Sequence, residues 1–170
     1  MDTEDWTKAL AGDGEAFGRV FDRHKDRIRR HAHGLVSVSA DAEDVVAVTF
    51  LEAWRNRSRV RLINESALPW LLVTATNVAN NLRRSMRRYR QMLEQLPDAS
   101  AVTMEDSDLA ATRALAGLAI ADRRIVTLCV LYDYSHAEAA SVLGIPVGTV
   151  KSRLSRAKAR LTAEYDLRSA

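Results

Sequence analysis

A chain of 170 residues, 47% of them hydrophobic, is long enough for one ordinary domain or two small ones with buried cores, and is too apolar for a disordered segment. Only three prolines and seven glycines, abundant Ala, Leu and Arg, and few runs of β-branched residues exclude a fibrous protein and favour helix throughout. A single cysteine excludes an intramolecular disulfide and fits a reducing, cytoplasmic setting, while a formal charge of +3 marks a basic protein with no apolar stretch of membrane-spanning length.

Asp13 is placed to cap a first helix running to about Gly34, in which Phe17, Val20, Phe21, His24, Ile28 and His31 recur at helical spacing. His31 and His33 are two apart and do not share a helix face, so they form no metal pair. A second helix, ADAEDVVAVTFLEAW, starts at about Asp41. Its early Glu43 and Asp44 suit the positive end of the helix dipole, and Val46, Thr49, Phe50, Ala53 and Trp54 form its apolar face. The polar, basic stretch from Arg55 to Leu68 reads as a loop. Pro69 then opens a third helix, PWLLVTATNVANNLRRSMRRYRQML, apolar at its start and arginine-rich at its end.

Charge is unevenly spread beyond this point. From Asn77 to Met92 the chain carries Arg83, Arg84, Arg87, Arg88 and Arg90 with no acid, and from Leu93 to Leu109 it carries Glu94, Asp98, Glu105, Asp106 and Asp108 with no base. Two basic working surfaces separated by an acidic connector are the expectation. Ala110 to Ala119 and Ala121 to Tyr132 read as two further helices, with Cys129 a small core residue in the apolar run IVTLCVL.

The sharpest signal is SHAEAASVLGIPVGTVKSRLSRAKAR, from Ser135 to Arg160. Ser135 and Glu138 have capping-box spacing, Gly144 supplies the left-handed residue that ends a helix, and Pro146 precedes a second helix starting near Val147. On that second helix Val147, Val150, Leu154, Ala157 and Leu161 make one stripe that faces protein. Opposite lie Thr149, Ser152, Ser155 and Arg156, flanked by Lys151 and Lys158 on one edge and Arg153 and Arg160 on the other. Cations on both edges suit the two phosphate walls of a major groove, and small hydroxyls with one arginine suit base edges. A merely solvated basic face is the alternative, but the helix carries no acid before Glu164, and a capped helix and glycine turn precede it.

Taken together, DAEDVVAVTFLEAW, the basic loop, ALPWLLVTATNVANNLRR, the acidic connector and AEAASVLGIPVGTVKSRLSRAKARL resemble, in order and spacing, the bacterial extracytoplasmic-function sigma factors. The resemblance runs from about Phe17 to Leu161. It implies an all-α fold of two small helical domains joined by a flexible acidic linker: residues 1–92 as a region 2-like domain, 93–109 as the linker and 110–170 as a region 4-like helix-turn-helix. It implies docking on the β′ clamp helices of core RNA polymerase through Asp44, Val45, Val48, Phe50 and Leu51, although Ala47 and Val48 stand where the family often has glutamine and glutamate. It assigns the minus-10 element, captured as a melted strand, to Asn64, Asn77, Asn80, Asn81, Arg83 and Arg84. An asparagine can pair with an extruded base edge while arginine neutralises the strand. The minus-35 element falls to Thr149, Lys151, Ser152, Arg153, Ser155, Arg156 and Arg160, in the domain that also touches the polymerase β flap.

The function expected is therefore that of an alternative sigma factor, binding core polymerase and promoter DNA and open to control by an anti-sigma factor. No paired-carboxylate, nucleophile or phosphate-loop motif is present, so no enzymatic activity, cofactor or metal is expected. The competing readings are a stand-alone helix-turn-helix regulator with an N-terminal sensor or dimerisation domain, and, more remotely, an RNA-binding or adaptor protein.

Overall fold

The computed structural model describes residues 1–93 and 115–169. Among these there is no strand, only an isolated antiparallel bridge between Ile63 and Ser66. The first domain consists of α1 (Asp2–Leu10), α2 (Gly14–His33), α3 (Ser39–Arg55), a 3-10 turn at Arg57–Arg59 and α4 (Leu68–Leu93). The second has a helical turn at 115–117, α5 (Ile120–Val126), a π-helical turn at Thr127–Leu131, α6 (His136–Leu143) and α7 (Val147–Ser169). The acidic linker expected at 93–109 lies outside the described residues except for Leu93, which ends α4, and so do residues 110–114 of the next expected helix.

Local chemistry sets these boundaries. The Asp13 carboxylate accepts the Ala16 amide at 3.0 Å and starts α2, as its spacing predicts. Ser66 Oγ accepts the Leu68 amide at 3.2 Å just before Pro69, and α4 begins there. Helix α3 begins two residues ahead of Asp41, at Ser39, without a side-chain cap. In the second domain the capping box is complete: Ser135 Oγ accepts the Glu138 amide and Glu138 accepts the Ser135 amide at 2.8 Å. Gly144 ends α6 at φ +65°. Replacing Ser135 by alanine is expected to remove about 1 kcal/mol of stability, read as a lower urea midpoint with unchanged slope.

Two hydrophobic cores result. The first gathers Val20 and Ile28 from α2, Val45, Val46 and Phe50 from α3, and Leu71, Leu72 and Ala75 from α4. The second gathers Ile125, Val126 and Leu128 against Ala139, Val150, Leu154 and Ala157. Val150, Leu154 and Ala157 are the expected buried stripe of α7, but Val147 is exposed because it stands at the first residue of the helix, a turn ahead of the first buried position. The helix expected to run from Ala121 to Tyr132 instead widens after Val126 into the π-helical turn, in which Cys129 is half-buried beside the core rather than sealed in it. No helix among the described residues is long and apolar enough to cross a membrane.

The first helix, α1, is an element that the sequence reading passed over. Three acids in its first turn and Trp6 on its inner side were signals for it. It braces the loop after α3. The Asp2 amide donates to the Glu65 carbonyl at 2.8 Å, the Asp2 carboxylate accepts the Ala67 amide at 2.7 Å, and Trp6 Nε1 donates to the Arg57 carbonyl at 3.3 Å. Asp2 is also bound by Arg23 and, at 2.7 Å, by His24.

Candidate nucleic-acid and polymerase interfaces

Helix α3 presents one open stripe. Asp44, Ala47, Val48 and Leu51 follow i, i+3, i+4, i+7 spacing and all are exposed, Val48 and Leu51 by 39% and 45% of their surface. Two apolar side chains, Val48 and Leu51, therefore stand side by side on one open stripe. Val45 and Phe50, expected on that surface, are instead in the core at 0% and 4% exposure. Their spacing places them on the two flanks of the helix, each roughly 110° from the middle of that stripe, where they help hold α3 against the core formed with α2 and α4. Of the residues expected to dock, Asp44, Val48 and Leu51 remain exposed, with Ala47 beside them.

The loop after α3 is shaped by a tight turn. Asn64 and Glu65 both have positive φ, +49° and +60°, and the amides and carbonyls of Ile63 and Ser66 exchange hydrogen bonds at 3.0 Å across them. This left-handed pair is what a two-residue turn of the mirror-image type requires, and asparagine tolerates it better than most residues. Upstream, the Arg57 guanidinium lies 4.4 Å from the Trp54 ring centroid and donates to the Trp54 carbonyl at 2.9 Å. Asn64 is thereby held at the tip of a braced loop, where it donates to Glu138 Oε1 at 2.5 Å.

Along α4 the expected strand-binding residues divide. Asn81, Arg83 and Arg84 are exposed, and Arg87, Arg88 and Arg90 continue the basic surface to the end of the helix. Asn77 and Asn80 are half-buried and face the second domain: Arg124 Nε donates to Asn77 Oδ1 at 2.6 Å, and Arg123 to Asn80 Oδ1 at 3.3 Å. Burial, and behind it the charge of Arg83, holds the Arg123 guanidinium below its ordinary pKa; burial does the same to Arg124. An open cleft of about 890 Å³ continues from this seam, with Arg83, Arg84 and Arg87 on one side, Arg123 on the other and Val38 and Met86 among its apolar lining.

On α7 the wheel expected from sequence is recovered for Val150, Leu154 and Ala157, but not for Val147, which is exposed. With Val150, Leu154 and Ala157 inward, Lys151, Ser152, Ser155, Arg156, Lys158 and Arg160 are exposed, and Thr149 and Arg153 are partly so. The Arg156 guanidinium reaches only the Ser152 carbonyl of its own helix, at 3.4 Å, and Ser152 Oγ the Thr149 carbonyl at 3.2 Å. These are loose local contacts that a base edge can replace.

Comparison with known proteins finds relatives of both halves of the chain. A family model for Sigma-70 region 2 matches residues 20–89, and one for Sigma-70 region 4 matches residues 108–161. The ECF RNA polymerase sigma factor SigM of Mycobacterium tuberculosis is 34% identical over 154 residues, covering 89% of this chain and 78% of that protein. The RNA polymerase sigma factor CnrH of Cupriavidus metallidurans is 31% identical over 94% of this chain and 91% of its own. A solved structure of CnrH with the cytosolic domain of CnrY matches 98% of this chain and 97% of that one, with a TM-score of 0.66 and 27% identity. The sigma factor RpoE of Bartonella quintana, solved with the anti-sigma factor NepR, matches 86% of this chain and 94% of that one, with a TM-score of 0.58 and 25% identity. The first half is thus matched as sigma region 2, not as the sensor or dimerisation domain of a stand-alone regulator. With region 2 and region 4 in order on two small helical domains, the chain belongs to the extracytoplasmic-function sigma factors, non-enzymatic subunits that bind core RNA polymerase and direct it to promoters.

Proposed function

We propose that this sigma factor divides its task among three surfaces: the Asp44, Val48 and Leu51 stripe of α3 docks on polymerase, α7 reads the minus-35 duplex, and the loop at Asn64 with α4 holds the melted minus-10 strand. The domains that carry these tasks are residues 1–92 and 110–170, joined by the acidic segment 93–109. The observation that carries the reading is α7 itself, whose exposed face joins four small or guanidinium side chains to two cationic edges above a fully buried stripe. Phosphate contacts from Lys151, Arg153 and Arg160 set register, and Ser152, Ser155 and Arg156 supply sequence choice.

Such a subunit works in the cytoplasm, where polymerase and promoter DNA are. The Bartonella relative was solved with an anti-sigma factor, and we extend that class of partner to this chain, with the exposed apolar pair Val48 and Leu51 as its natural footing. Polymerase and inhibitor would then compete for one stripe.

The test is reconstituted transcription from genomic fragments with core polymerase and the full chain, with start sites mapped. Discrete starts preceded by two shared sequence elements are expected. Arg156→Ala should lower occupancy of the upstream element by about 1–3 kcal/mol at one base position while leaving binding to unrelated duplex nearly unchanged. Equal weakening on every sequence would reduce Arg156 to a phosphate contact.

A further inference from the structure

The turn that carries Asn64 does not hold itself together. Asn64 and Glu65 are consecutive left-handed residues, a conformation that brings any Cβ too close to the following carbonyl oxygen. Two-residue turns of this mirror-image type favour glycine in second place, and here that place is taken by Glu65. Ile63 and Ser66 close the turn from within, and further bonds reach it from α1. The Asp2 amide donates to the carbonyl of Glu65 itself, and the Asp2 carboxylate accepts the amide of Ala67 at 2.7 Å. One residue thus grips the main chain on both sides of Ser66. The opposite limb of the loop is held by Trp6, whose indole donates to the Arg57 carbonyl.

Helix α1 is in turn fixed to α2. Asp2 is 1% exposed, and its carboxylate is also bound by Arg23 and His24. Asp5 accepts from Arg19 and from Arg23, at 2.8 Å each, and the buried Trp6 ring lies 6.0 Å from that of Phe17. The Asp2 carboxylate therefore stands where α1, α2 and the start of α4 meet, and ties the loop to the core of the domain.

We propose that Asp2 is a positioning residue for strand capture: through it α1 holds the Asn64 turn in its left-handed form before DNA arrives. The proposal rests on the assignment of Asn64 to the melted strand. A loop ordered at folding adds no ordering cost to binding, whereas a loop ordered only on the DNA lowers apparent affinity by the fraction of capture-competent molecules. Because the bonds run to main-chain groups of Glu65 and Ala67, the brace sets where the Asn64 side chain stands, and α7 is not involved. Removing Asp2 also separates this role from electrostatics. Loss of an acid by itself strengthens binding to a phosphate backbone, while loss of the brace weakens capture.

The experiment uses the full chain and its holoenzyme with core polymerase, parent against Asp2→Ala, and reads three quantities. Amide exchange of residues 60–67 reports loop order. Anisotropy on a mapped promoter, pre-melted by mismatch and varied base by base along the minus-10 strand, reports capture and its selectivity. Binding to the upstream duplex element serves as the control. Asp2→Ala should speed exchange in the loop and weaken capture about tenfold, if about one molecule in ten keeps the turn. It should also flatten the preference at one base and leave the duplex element bound as before. Adding Glu65→Gly, which makes the turn Asn-Gly and favourable on its own, should restore most of the capture. Trp6→Phe, which keeps a buried ring and drops the donor, should move loop exchange and capture the same way by less, and covers the case in which Asp2→Ala does not fold. Unchanged exchange overturns the brace, and equal loss of duplex binding reduces Asp2 to a stabiliser of the whole domain. Faster exchange with capture intact also overturns the proposal, and Asn64→Ala then locates the fault. If that variant weakens capture, the loop reads the strand without help from α1; if it does not, the assignment of Asn64 to the strand has failed.

Discussion

Replacing Arg123 by alanine is expected to destabilise the second domain by about 3 kcal/mol, a larger loss than most single substitutions produce. Arg123 is 4% exposed and has no carboxylate partner among the described residues. Its guanidinium is spread over main-chain oxygens: Nε donates to the Leu115 carbonyl at 2.7 Å, and one terminal nitrogen to those of Ala116 at 2.9 Å and Leu118 at 3.0 Å. These carbonyls belong to the turn that leads into α5, where the last oxygens of a helical segment lack partners of their own. Alanine removes the burial cost of the charge, but strands three acceptors at about 1–3 kcal/mol each where they stay buried, and leaves a void. The stranded acceptors win because water reaching the void satisfies them only in part. Arg123→Met separates the two contributions: it refills the volume without donors and should recover less than half of the loss. Urea unfolding followed by far-UV circular dichroism measures each step, and full recovery by methionine would show that packing, not the fork of donors, holds the turn.

Acidification is expected to weaken the first domain in two successive steps, the first amounting to about 3 kcal/mol. His31 is buried and its Nε2 lies 2.9 Å from Thr76 Oγ1, which itself donates to the Leu72 carbonyl at 2.8 Å and so accepts from the ring. Burial outweighs a backbone hydrogen bond to Leu72 and pushes the imidazole down to about 4 from 6.5. The native state thus keeps His31 neutral where the unfolded chain takes a proton. Stability is full above about pH 6.5 and falls as the pH drops through the window to about 4, at about 1.4 kcal/mol per unit. Asp2 acts below that. Burial raises its carboxyl, but His24, the Ala67 amide and Arg23 together outweigh burial and hold it well below the usual carboxylate range. Its contribution is present above the unfolded value of 3.8 and is lost as the pH falls further. His31→Phe should flatten the stability profile between pH 6.5 and 4 and leave the lower step in place. A profile that keeps its upper slope without His31 would assign that slope to another group.

Elements whose boundaries depend on a few neighbours were legible. Asp13, Ser135 with Glu138, Gly144 and Pro69 each act within four residues of themselves, and each stands where its local chemistry requires. The α7 face was legible for the same reason: once Val150, Leu154 and Ala157 are inward, a rigid helix sets the direction of Ser152 and Arg156. Helix α3 was only half legible. Val45 and Phe50 share the segment with Asp44, Val48 and Leu51, and only packing against α2 and α4 tells which side chains remain outside. Helix α1 was missed although its signals were present, because nothing in its own nine residues announces a bond from Asp2 to Ala67.

By itself, then, the order of residues determined an all-helical chain, the place of the helix-turn-helix, the basic end of α4 and the family those features resemble, because helix period, caps and charge runs are short-range properties. Tertiary structure alone decided the rest: which apolar residues of α3 face out, that an arginine is buried among carbonyls, and that Asn64, Asn77 and Asn80 meet partners 74, 47 and 43 positions away. Contacts of that separation leave no periodic trace in the sequence. They exist because two small cores, each closing its own helices, leave side chains at their rims whose donors and acceptors find one another only when the domains come together.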